Sequence, residues 1–313
     1  MASATSGATR DAFGEALLRV GADERVVALT GDLRDSTRVE KFAERYPERF
    51  VECGIAEANM IGVASGLALS GKIPFAASFS CFVTGRFELI RLAVSYQEAN
   101  VRLVGTHAGI GVGEDGYSQM AIQDIALMRS LPNMAVIDPC DGIETERAVE
   151  YLVEHRGPAF LRLTRQEVDG VHDASYRFGF GRIETLRDGS DVAILGTGAT
   201  VQEALAAADL LAERGVSARV LNAHTLAPFD EETVLATAAE VRNLVTVEDH
   251  AVVGGLGSAV AEALATGNGR GARLLPIGVR GFGESGTTRE LYEKVGLSGE
   301  RVADSVEAFL TGA

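Results

Sequence analysis

The sequence predicts an α/β protein built from two doubly wound domains with mostly parallel sheets. Short apolar runs alternate with amphipathic segments along nearly the whole chain, which is the pattern of strands connected by helices. Runs such as VVALTGD, after residue 25, and DVAILGT, after residue 190, are almost continuously apolar, as expected of parallel strands covered on both faces. With 313 residues, the chain is long enough for two domains with separate cores.

The first domain begins with the segment TRDAFGEALLRVGA, in which Phe13 and Leu17 share one helical face that ends at Gly21. VVALTGD then predicts a buried strand, and STRVEKFAERYP predicts a helix capped by Ser36 and ended by Pro47. The later segments continue the alternation, in the order FVECG (strand), EANMIGVASGLALSGK (helix), IPFAASF (strand), CFVTGRFELIRLAVSYQ (helix), VRLVGTH (strand), MAIQDIALMRSL (helix), MAVIDP (strand), DGIETERAVEYLVEH (helix) and PAFLRLT (strand).

The alternation stops between about residues 165 and 191, in a polar segment rich in Gly and Asp. We interpret this segment as an interdomain linker with an edge hairpin. A second α/β unit follows, in the order DVAILGT (strand), VQEALAAADLLAERG (helix), ARVLNA (strand), EETVLATAAE (helix), NLVTVE (strand), LGSAVAEALATG (helix), LLPIGVR (strand) and terminal helices. We therefore predict a first domain over residues 1–175, a linker over 176–190 and a second domain over 191–313.

Charge and cysteine content limit the possible partners. The formal net charge of −15 argues against nucleic acid or an anionic membrane surface. No apolar run approaches membrane-spanning length, and the first ten residues lack the apolar core of a secretory signal. The three cysteines lie far apart, and the five histidines show no metal-ligand spacing. We expect a cytoplasmic protein with free thiols and no metal site of its own.

The residues with chemical potential follow the strands of the first domain, where open parallel sheets bind ligands. Glu57 comes just after the strand FVECG and has small and apolar neighbours. A lone carboxylate is costly to bury unless a partner binds it. The loop THAGIGVGEDG also follows a strand, and it carries His107 and Asp115. A long glycine-rich loop in a compact domain is usually functional, so we favour a binding role over a solvated surface loop.

Five stretches resemble motifs of animal-type transketolases. They are VECGIAEANM, SFSCFVTGRFELIR, GTHAGIGVGEDGYSQMAIQDIALMRSLP, PCDGIETERAVE and TVEDHAVVGGLGSAV. The resemblance runs in order from about residue 8 to the end of the chain. It implies the transketolase fold and an enzyme that uses thiamin diphosphate to move a two-carbon ketol unit between sugar phosphates.

The resemblance also implies roles for individual residues. Glu57 matches the glutamate that hydrogen-bonds N1′ of the aminopyrimidine ring and so promotes loss of the thiazolium C2 proton. Phe82 matches the ring that stacks on the pyrimidine, and Phe79 matches the aromatic lining beside it. The implied catalytic pair is Glu57 with His107. The implied substrate-binding residues are Arg10, Ser36, His107 and Arg165 at the phosphate, and Asp115 and Gln119 at the sugar hydroxyl groups.

One family motif is missing. The diphosphate and Mg²⁺ are held in the family by a GDG…N motif, and Gly31–Asp32 lacks the final glycine. The resemblance therefore implies the second subunit of a split transketolase, inactive alone. A separate N-terminal-half chain would hold the diphosphate and the Mg²⁺, and an α2β2 assembly is the economical expectation.

Several alternatives stay open. The chain could belong to a related thiamin enzyme: a 1-deoxyxylulose-5-phosphate synthase, the β subunit of a 2-oxoacid dehydrogenase, or a ketol transferase of a specialised pathway. A non-catalytic regulatory subunit is disfavoured because Glu57 and Phe82 are intact. A nicotinamide enzyme is disfavoured because no glycine-rich turn has the full G-x-G-x-x-G spacing with a following acid. Tyr117 replaces a proline of the family, and we hypothesise that it reshapes the acceptor channel.

Overall fold

The computed structural model describes residues 6–267, 269 and 271–312. Its strands, in chain order, are β1 (Gly7–Ala8), β2 (Val26–Thr30), β3 (Phe50–Glu52), β4 (Ile73–Phe79), β5 (Arg102–Thr106), β6 (Ala135–Ile137), β7 (Ala159–Arg162), β8 (Glu167–Val168), β9 (Glu184–Arg187), β10 (Val192–Gly196), β11 (Ala218–Asn222), β12 (Thr225–Ala227), β13 (Asn243–Ala251) and β14 (Arg273–Val279).

Helices connect most of these strands. In chain order they are α1 (Thr9–Val20), α2 (Glu40–Arg45), α3 (Glu57–Leu69), α4 (Ser80–Thr84), α5 (Phe87–Leu89), α6 (Asp124–Arg129), α7 (Gly142–Glu154), α8 (Thr200–Glu213), α9 (Glu231–Val241), α10 (Leu256–Thr266), α11 (Thr288–Val295) and α12 (Gly299–Thr311). A π-helical segment, Ile90–Ser95, follows α5. None of the described helices combines the length and the apolar character that crossing a membrane requires.

The first sheet has seven strands in the order β12-β6-β7-β5-β4-β2-β3. Neighbouring strands are parallel except for β12, which pairs antiparallel with β6. Helices cover both faces, so alternate residues of each strand enter different cores. Phe75 and Leu161 pack with Phe13 of α1 on one face, while Leu103 and Phe160 pack with Met60 of α3 on the other. This double burial is why the strands are continuously apolar.

The second sheet has five strands in the order β14-β13-β10-β11-β9 and is parallel except for β9. The prediction of an α/β fold with two mostly parallel sheets is confirmed. Two connections differ from the expectation. Strand β9 lies inside the predicted linker and is a single edge strand against β11, where we expected a hairpin. Strand β12 comes from the second half of the chain but extends the first sheet.

Two local helix predictions were wrong. The helix after β2 begins at Glu40, with Val39 at its N-cap, so Ser36 is not a helix cap. Residues 33–39 instead form turns in which Thr37 N–H donates to the Leu33 carbonyl, and Arg38 has a left-handed backbone with φ 62°. The long helix predicted after β4 is broken into α4, α5 and the π-helical segment.

A buried ion network joins the two sheets behind the carboxyl end of the first. The Arg162 guanidinium, 2% exposed, donates to Asp124 (Nε to Oδ2, 2.9 Å) and to Asp138 (Nη1 to Oδ2, 3.3 Å). It also donates to the backbone carbonyl of Asp249 at 2.7 Å. Ser80, the first residue of α4, donates to the same Asp124 oxygen at 2.7 Å. The orientation of α4 is therefore fixed by a network that reaches the second domain.

Candidate active site

The predicted site residues lie at the carboxyl end of the first sheet, where parallel sheets bind ligands. The strand register brings these residues to one edge. Thr30 of β2 lies opposite Ala77 of β4, and Phe79 of β4 lies opposite Thr106 of β5. The loops that follow β2, β4 and β5 therefore start side by side.

Glu57 is the first residue of α3, and only 5% of its surface is exposed. Among the described residues, no donor hydrogen-bonds its carboxylate. The nearest cation is Arg86, whose Nη2 lies 3.9 Å from Oε2. Gly31 leaves space beside the group, since a Cβ on Gly31 would stand 3.7 Å from Oε1. A nearly buried carboxylate at a helix N-terminus, favoured there by the helix dipole, is thus available to a donor from outside the chain.

Three rings stack at the ends of β4 and β5. The rings of Phe79 and Phe82 are parallel within 7°, with centroids 5.4 Å apart. Phe79 also stacks on the imidazole of His107, at 3.7 Å and 22°. Phe79 therefore lies between Phe82 and His107, and it places the imidazole by direct contact. This ring order was not visible in the sequence.

Arg10 and His107 form the centre of a polar cluster next to the rings. Arg10 Nη1 donates to His107 Nε2 at 2.9 Å and to the backbone carbonyl of Ser36 at 3.1 Å. Arg10 Nε is buried without a hydrogen-bond partner among the described residues, although the Asp11 carboxylate lies 3.9 Å away. The guanidinium thus keeps a donor available for an anion.

His107 is held in one protonation state by its surroundings. Its Nε2 accepts the Arg10 hydrogen bond, so the ring proton resides on Nδ1, which donates to Thr106 Oγ1 at 2.9 Å. Burial and then the positive charges of Arg10, Arg165 and Arg38 lower the pKa of His107 to about 3. The backbone of His107 is left-handed, with φ 56°. His107 is therefore a neutral ring whose orientation is fixed on three sides.

The glycine-rich loop carries the other polar residues. Arg165 Nη1 donates to Asp115 Oδ1 at 3.2 Å and to the Val112 carbonyl at 3.1 Å. The Oε1 atom of Gln119 is buried and has no hydrogen-bond partner among the described residues. The loop thus offers the Asp115 carboxylate, which binds the Arg165 guanidinium from the segment after β7, and the free amide oxygen of Gln119.

The structure brings five of the six predicted substrate residues together in two groups, whereas Gln119 hydrogen-bonds to neither of them. Arg10, Ser36 and His107 form one group, and Asp115 and Arg165 form the other. Burial is the main cause that lowers the pKa of Arg10 and of His107, and the charge of Arg165 adds to it in both, so the two groups lie close to each other. Ser36 contributes its backbone carbonyl here, whereas the resemblance implied its side chain.

Sequence reasoning missed two residues of this site. Arg38 adds a third guanidinium and forms an ion pair with Asp11, with its Nε 2.5 Å from Oδ1. Thr106 accepts the Nδ1 proton of His107 at its hydroxyl oxygen. The only available signal for either was its position, since Arg38 lies two residues after Ser36 and Thr106 is the last residue of a strand.

A second buried cluster lies where the linker meets the second sheet. His172 Nδ1 lies 3.0 Å from Asp141 Oδ2, and His172 Nε2 lies 3.0 Å from Glu184 Oε2. Two sets of side chains here are close enough to share a metal ion: Cys140, Asp141 and His172, and Glu144, His172 and Glu184. The spacing of histidines in the sequence did not predict this cluster. The hydrogen bonds already satisfy His172 from both sides, so we read the cluster as a structural contact.

A cavity of about 850 Å³ also lies apart from the site, against α8, α11 and the start of α12. Gln202, Tyr292 and Gly299 are among its lining residues. None of the predicted site residues lines it, so the volume of a cavity does not identify the active site here. The predicted site residues lie instead at the strand ends of the first sheet.

These features define an α/β protein with two mostly parallel sheets, in which a buried carboxylate, stacked aromatic rings and guanidinium groups lie at the carboxyl end of the first sheet. The family model for the transketolase pyrimidine-binding domain matches residues 6–170, and the model for the transketolase C-terminal domain matches residues 181–302. The chain therefore belongs to the transketolase family and corresponds to its C-terminal half.

Individual relatives agree with this assignment. A protein of Methanocaldococcus jannaschii described as a transketolase C-terminal section is 45% identical, over 95% of this chain and 94% of the relative. A 6-deoxy-6-sulfo-D-fructose transketolase subunit of a Clostridium species is 42% identical, over 94% of this chain and 91% of the relative. The chain spans about half of human transketolase, with 38% identity over 98% of this chain and 49% of the human protein.

A solved structure titled as a split-gene transketolase, in an inactive β4 tetramer, has the same fold. It is 40% identical and superposes with a TM-score of 0.89, over 98% of this chain and 99% of that one. A chain of this half-length thus exists as a separate polypeptide in that protein.

Proposed function

We propose that this chain is the pyrimidine-binding subunit of a two-chain transketolase, which transfers a two-carbon ketol unit between sugar phosphates. The observation that carries the proposal is the carboxylate of Glu57, which is buried and has no hydrogen-bond donor among the described residues, in a sheet end that also carries the stacked rings of Phe79 and Phe82. Burying an acid without a partner is unfavourable, so a ligand that supplies the donor is expected. The aminopyrimidine ring of thiamin diphosphate supplies one when its N1′ carries a proton.

The residues present fit that cofactor and its substrates. Glu57 would hold the pyrimidine by a hydrogen bond, and Phe82, supported by Phe79, would stack on it. Thiamin diphosphate, when bound, supplies the nucleophilic carbon that cleaves a ketose next to its carbonyl group. The diphosphate and Mg²⁺ would be held by a separate N-terminal-half chain, in an α2β2 assembly. The domain boundaries at residues 175 and 191 belong to the same proposal.

The anion site would hold the substrate at its phosphate end. Arg10 and Arg165 present guanidinium groups that can bind a phosphate dianion through several charge-assisted hydrogen bonds. His107 remains neutral beside them and adds shape and a stacking contact. Asp115 and Gln119 would bind sugar hydroxyl groups, since one offers a carboxylate and the other a free amide oxygen.

The decisive experiment uses the chain together with its candidate partner. We would co-purify it with a chain that carries a GDG…N motif, add thiamin diphosphate and Mg²⁺, and measure ketol transfer from a ketose phosphate. Glu57→Gln should lower kcat by about 100-fold to 10,000-fold while the two chains still co-purify, because the amide cannot exchange a proton with the pyrimidine. Glu44→Gln, an exposed acid of α2, is the matched control and should retain full activity.

Three outcomes would contradict the proposal. A stable complex that binds thiamin diphosphate but cleaves no ketose phosphate would favour a related thiamin enzyme, such as the synthase or the dehydrogenase. Full activity in Glu57→Gln would favour a regulatory subunit. Binding of a dinucleotide to this chain alone would point to a nicotinamide enzyme instead.

A sulfonated sugar is a second candidate substrate. The observation that favours it is the 42% identity to a protein described as acting on 6-deoxy-6-sulfo-D-fructose. A sulfonate carries one negative charge where a phosphate carries up to two, and an anion site with several guanidinium groups can bind either. A comparison of kcat/KM for a ketose phosphate and for the matching ketose sulfonate distinguishes the two substrates. The better substrate should also show the larger decrease in kcat/KM when Arg165 is replaced by Met.

A further inference from the structure

The glycine-rich loop that carries the substrate residues is held by the second domain. Asp249, near the end of β13, is only 3% exposed. Its Oδ1 accepts the backbone N–H of Ile110 at 2.8 Å, and its Oδ2 accepts the backbone N–H of Gly111 at 3.1 Å. One side chain of the second domain therefore binds two consecutive amides of a first-domain loop.

The Asp249 carboxylate is itself fixed from behind. Tyr292 of α11 donates its hydroxyl to Oδ2 at 2.9 Å, and Gln166 Nε2 donates to the Tyr292 oxygen at 2.6 Å. Asp249 thus has donors on both oxygens and little freedom to rotate. A charged acceptor forms stronger hydrogen bonds than a neutral one, so the contact with the loop is a firm one.

The loop backbone is shaped to receive this carboxylate. Gly109 has φ 75°, and a Cβ at that position would stand 2.1 Å from Asp249 Oδ2. Thr288, the first residue of α11, donates its hydroxyl to the Gly111 carbonyl at 2.9 Å. The turn over residues 109–111 is therefore held at its N–H groups by Asp249 and at a carbonyl by Thr288.

This turn lies between the two ends of the substrate site. His107 lies two residues before it, and Asp115 and Gln119 lie within ten residues after it. A shift of the turn would move these side chains relative to Arg10 and Arg165, which belong to other elements. We propose that Asp249 is a positioning residue: from the second domain, it holds the substrate loop of the first domain in the position that binding requires. The substrate part of this inference rests on the proposed function, whereas the loop contact does not.

The first test measures the loop itself, in the full-length chain, by amide hydrogen exchange. In Asp249→Asn, the shape of the side chain is kept, but one of the two acceptor oxygens becomes a donor. Peptides covering residues 108–119 should then exchange about tenfold faster or more, while peptides from β10 and the core of β13 keep their protection. Tyr292→Phe and Thr288→Val should give smaller increases in the same peptides.

Thr246→Val is the matched control. Thr246 lies on β13, three residues before Asp249, and its buried hydroxyl has no hydrogen-bond partner among the described residues. Its exchange pattern should equal that of the wild type. Unchanged exchange of residues 108–119 in Asp249→Asn overturns the inference. If Asp249→Asn does not fold, Tyr292→Phe and Thr288→Val decide in its place, because each removes only a hydroxyl group.

The second test uses the complex with the partner chain. Asp249→Asn should raise KM for a ketose phosphate about tenfold, with a smaller change in kcat and an unchanged Kd for thiamin diphosphate. A purely structural role predicts instead that cofactor affinity and the urea midpoint fall together with activity, and this result would overturn the positioning role. If the wild-type complex transfers no ketol unit, the proposed function fails, while the exchange experiment still decides the loop contact.

Discussion

His107 should remain uncharged between about pH 5 and pH 8, in contrast to an ordinary histidine. Its pKa is lowered from 6.5 to about 3, first by burial and then by Arg10, Arg165 and Arg38. With that pKa, the protonated fraction is about 1% at pH 5 and about 0.01% at pH 7. The imidazole beside Arg10 is therefore a neutral ring over this pH range, with its proton on Nδ1.

Arg10→Met tests the physical cause. Methionine keeps much of the length of the side chain but removes the charge and the 2.9 Å hydrogen bond to Nε2. A hydrogen bond to a charged group contributes about 1.5–3 kcal/mol, which corresponds to about one to two pKa units. The pKa of His107 should then rise to about 4–5. It should stay below 6.5, because burial, the largest cause, is unchanged.

The assay is NMR of the chain with labelled histidine, recorded as a function of pH. The His107 signals should report a neutral ring with an unprotonated Nε2 in the wild type. His155 is the internal control, because burial and Arg102 lower its pKa at a separate place in the fold. A wild-type His107 that titrates above pH 5, or an Arg10→Met variant without an increase in pKa, would refute the reasoning.

Two further predictions concern other parts of the chain. Tyr117→Pro should change the ratio of kcat/KM values among acceptor aldehydes, because it removes a ring that packs on Phe282 at 4.2 Å. The control Phe282→Leu removes this contact without changing the backbone at residue 117. Unchanged ratios in Tyr117→Pro would exclude a role of Tyr117 in acceptor specificity. His172→Gln should lower the free energy of unfolding by about 3 kcal/mol below pH 6.5. Burial opposes the charge of His172, but hydrogen bonds to Asp141 and Glu184 raise its pKa to about 10. The difference in unfolding free energy between wild type and variant should therefore shrink as the pH rises toward 10. A difference, measured by urea unfolding, that grows with pH would contradict this prediction.

The positions of the site residues could be predicted because they follow directly from strand order. A buried strand that ends in a parallel sheet must deliver its next residues to the ligand edge, so Glu57, His107 and Arg165 could be placed from apolar runs alone. The roles of these residues needed the resemblance to a family. Neither argument contains information about which side chains touch.

Local patterns misled where the backbone departs from ideal geometry. Serine is a residue type that often caps helices, yet Arg38 has a left-handed backbone and the helix begins only at Glu40. This turn leaves the Ser36 carbonyl free to accept from Arg10. The residue type shows only that Ser36 is able to cap a helix, and tertiary structure determined the contact that it makes.

Contacts between segments that are distant in the chain could not be predicted from hydrophobic periodicity. Asp249 and Ile110 are separated by 139 residues in the chain. The sequence places Asp249 at the end of a strand of the second domain, and it places the loop after a strand of the first. Nothing in either pattern states that the two ends face each other, because that depends on how the two sheets pack.

The buried acids of this chain differ in one respect that bears on its function. Asp124 accepts hydrogen bonds from Ser80, Arg162 and the Ile125 backbone, and Asp249 accepts three as well. Glu57 is buried to a similar degree, but no donor among the described residues hydrogen-bonds it. Unsatisfied buried acids are costly, yet the fold satisfies Asp124 and Asp249, which join its elements, and leaves Glu57 open at the carboxyl end of the sheet. The incomplete partner set of Glu57 therefore indicates a site that another molecule completes.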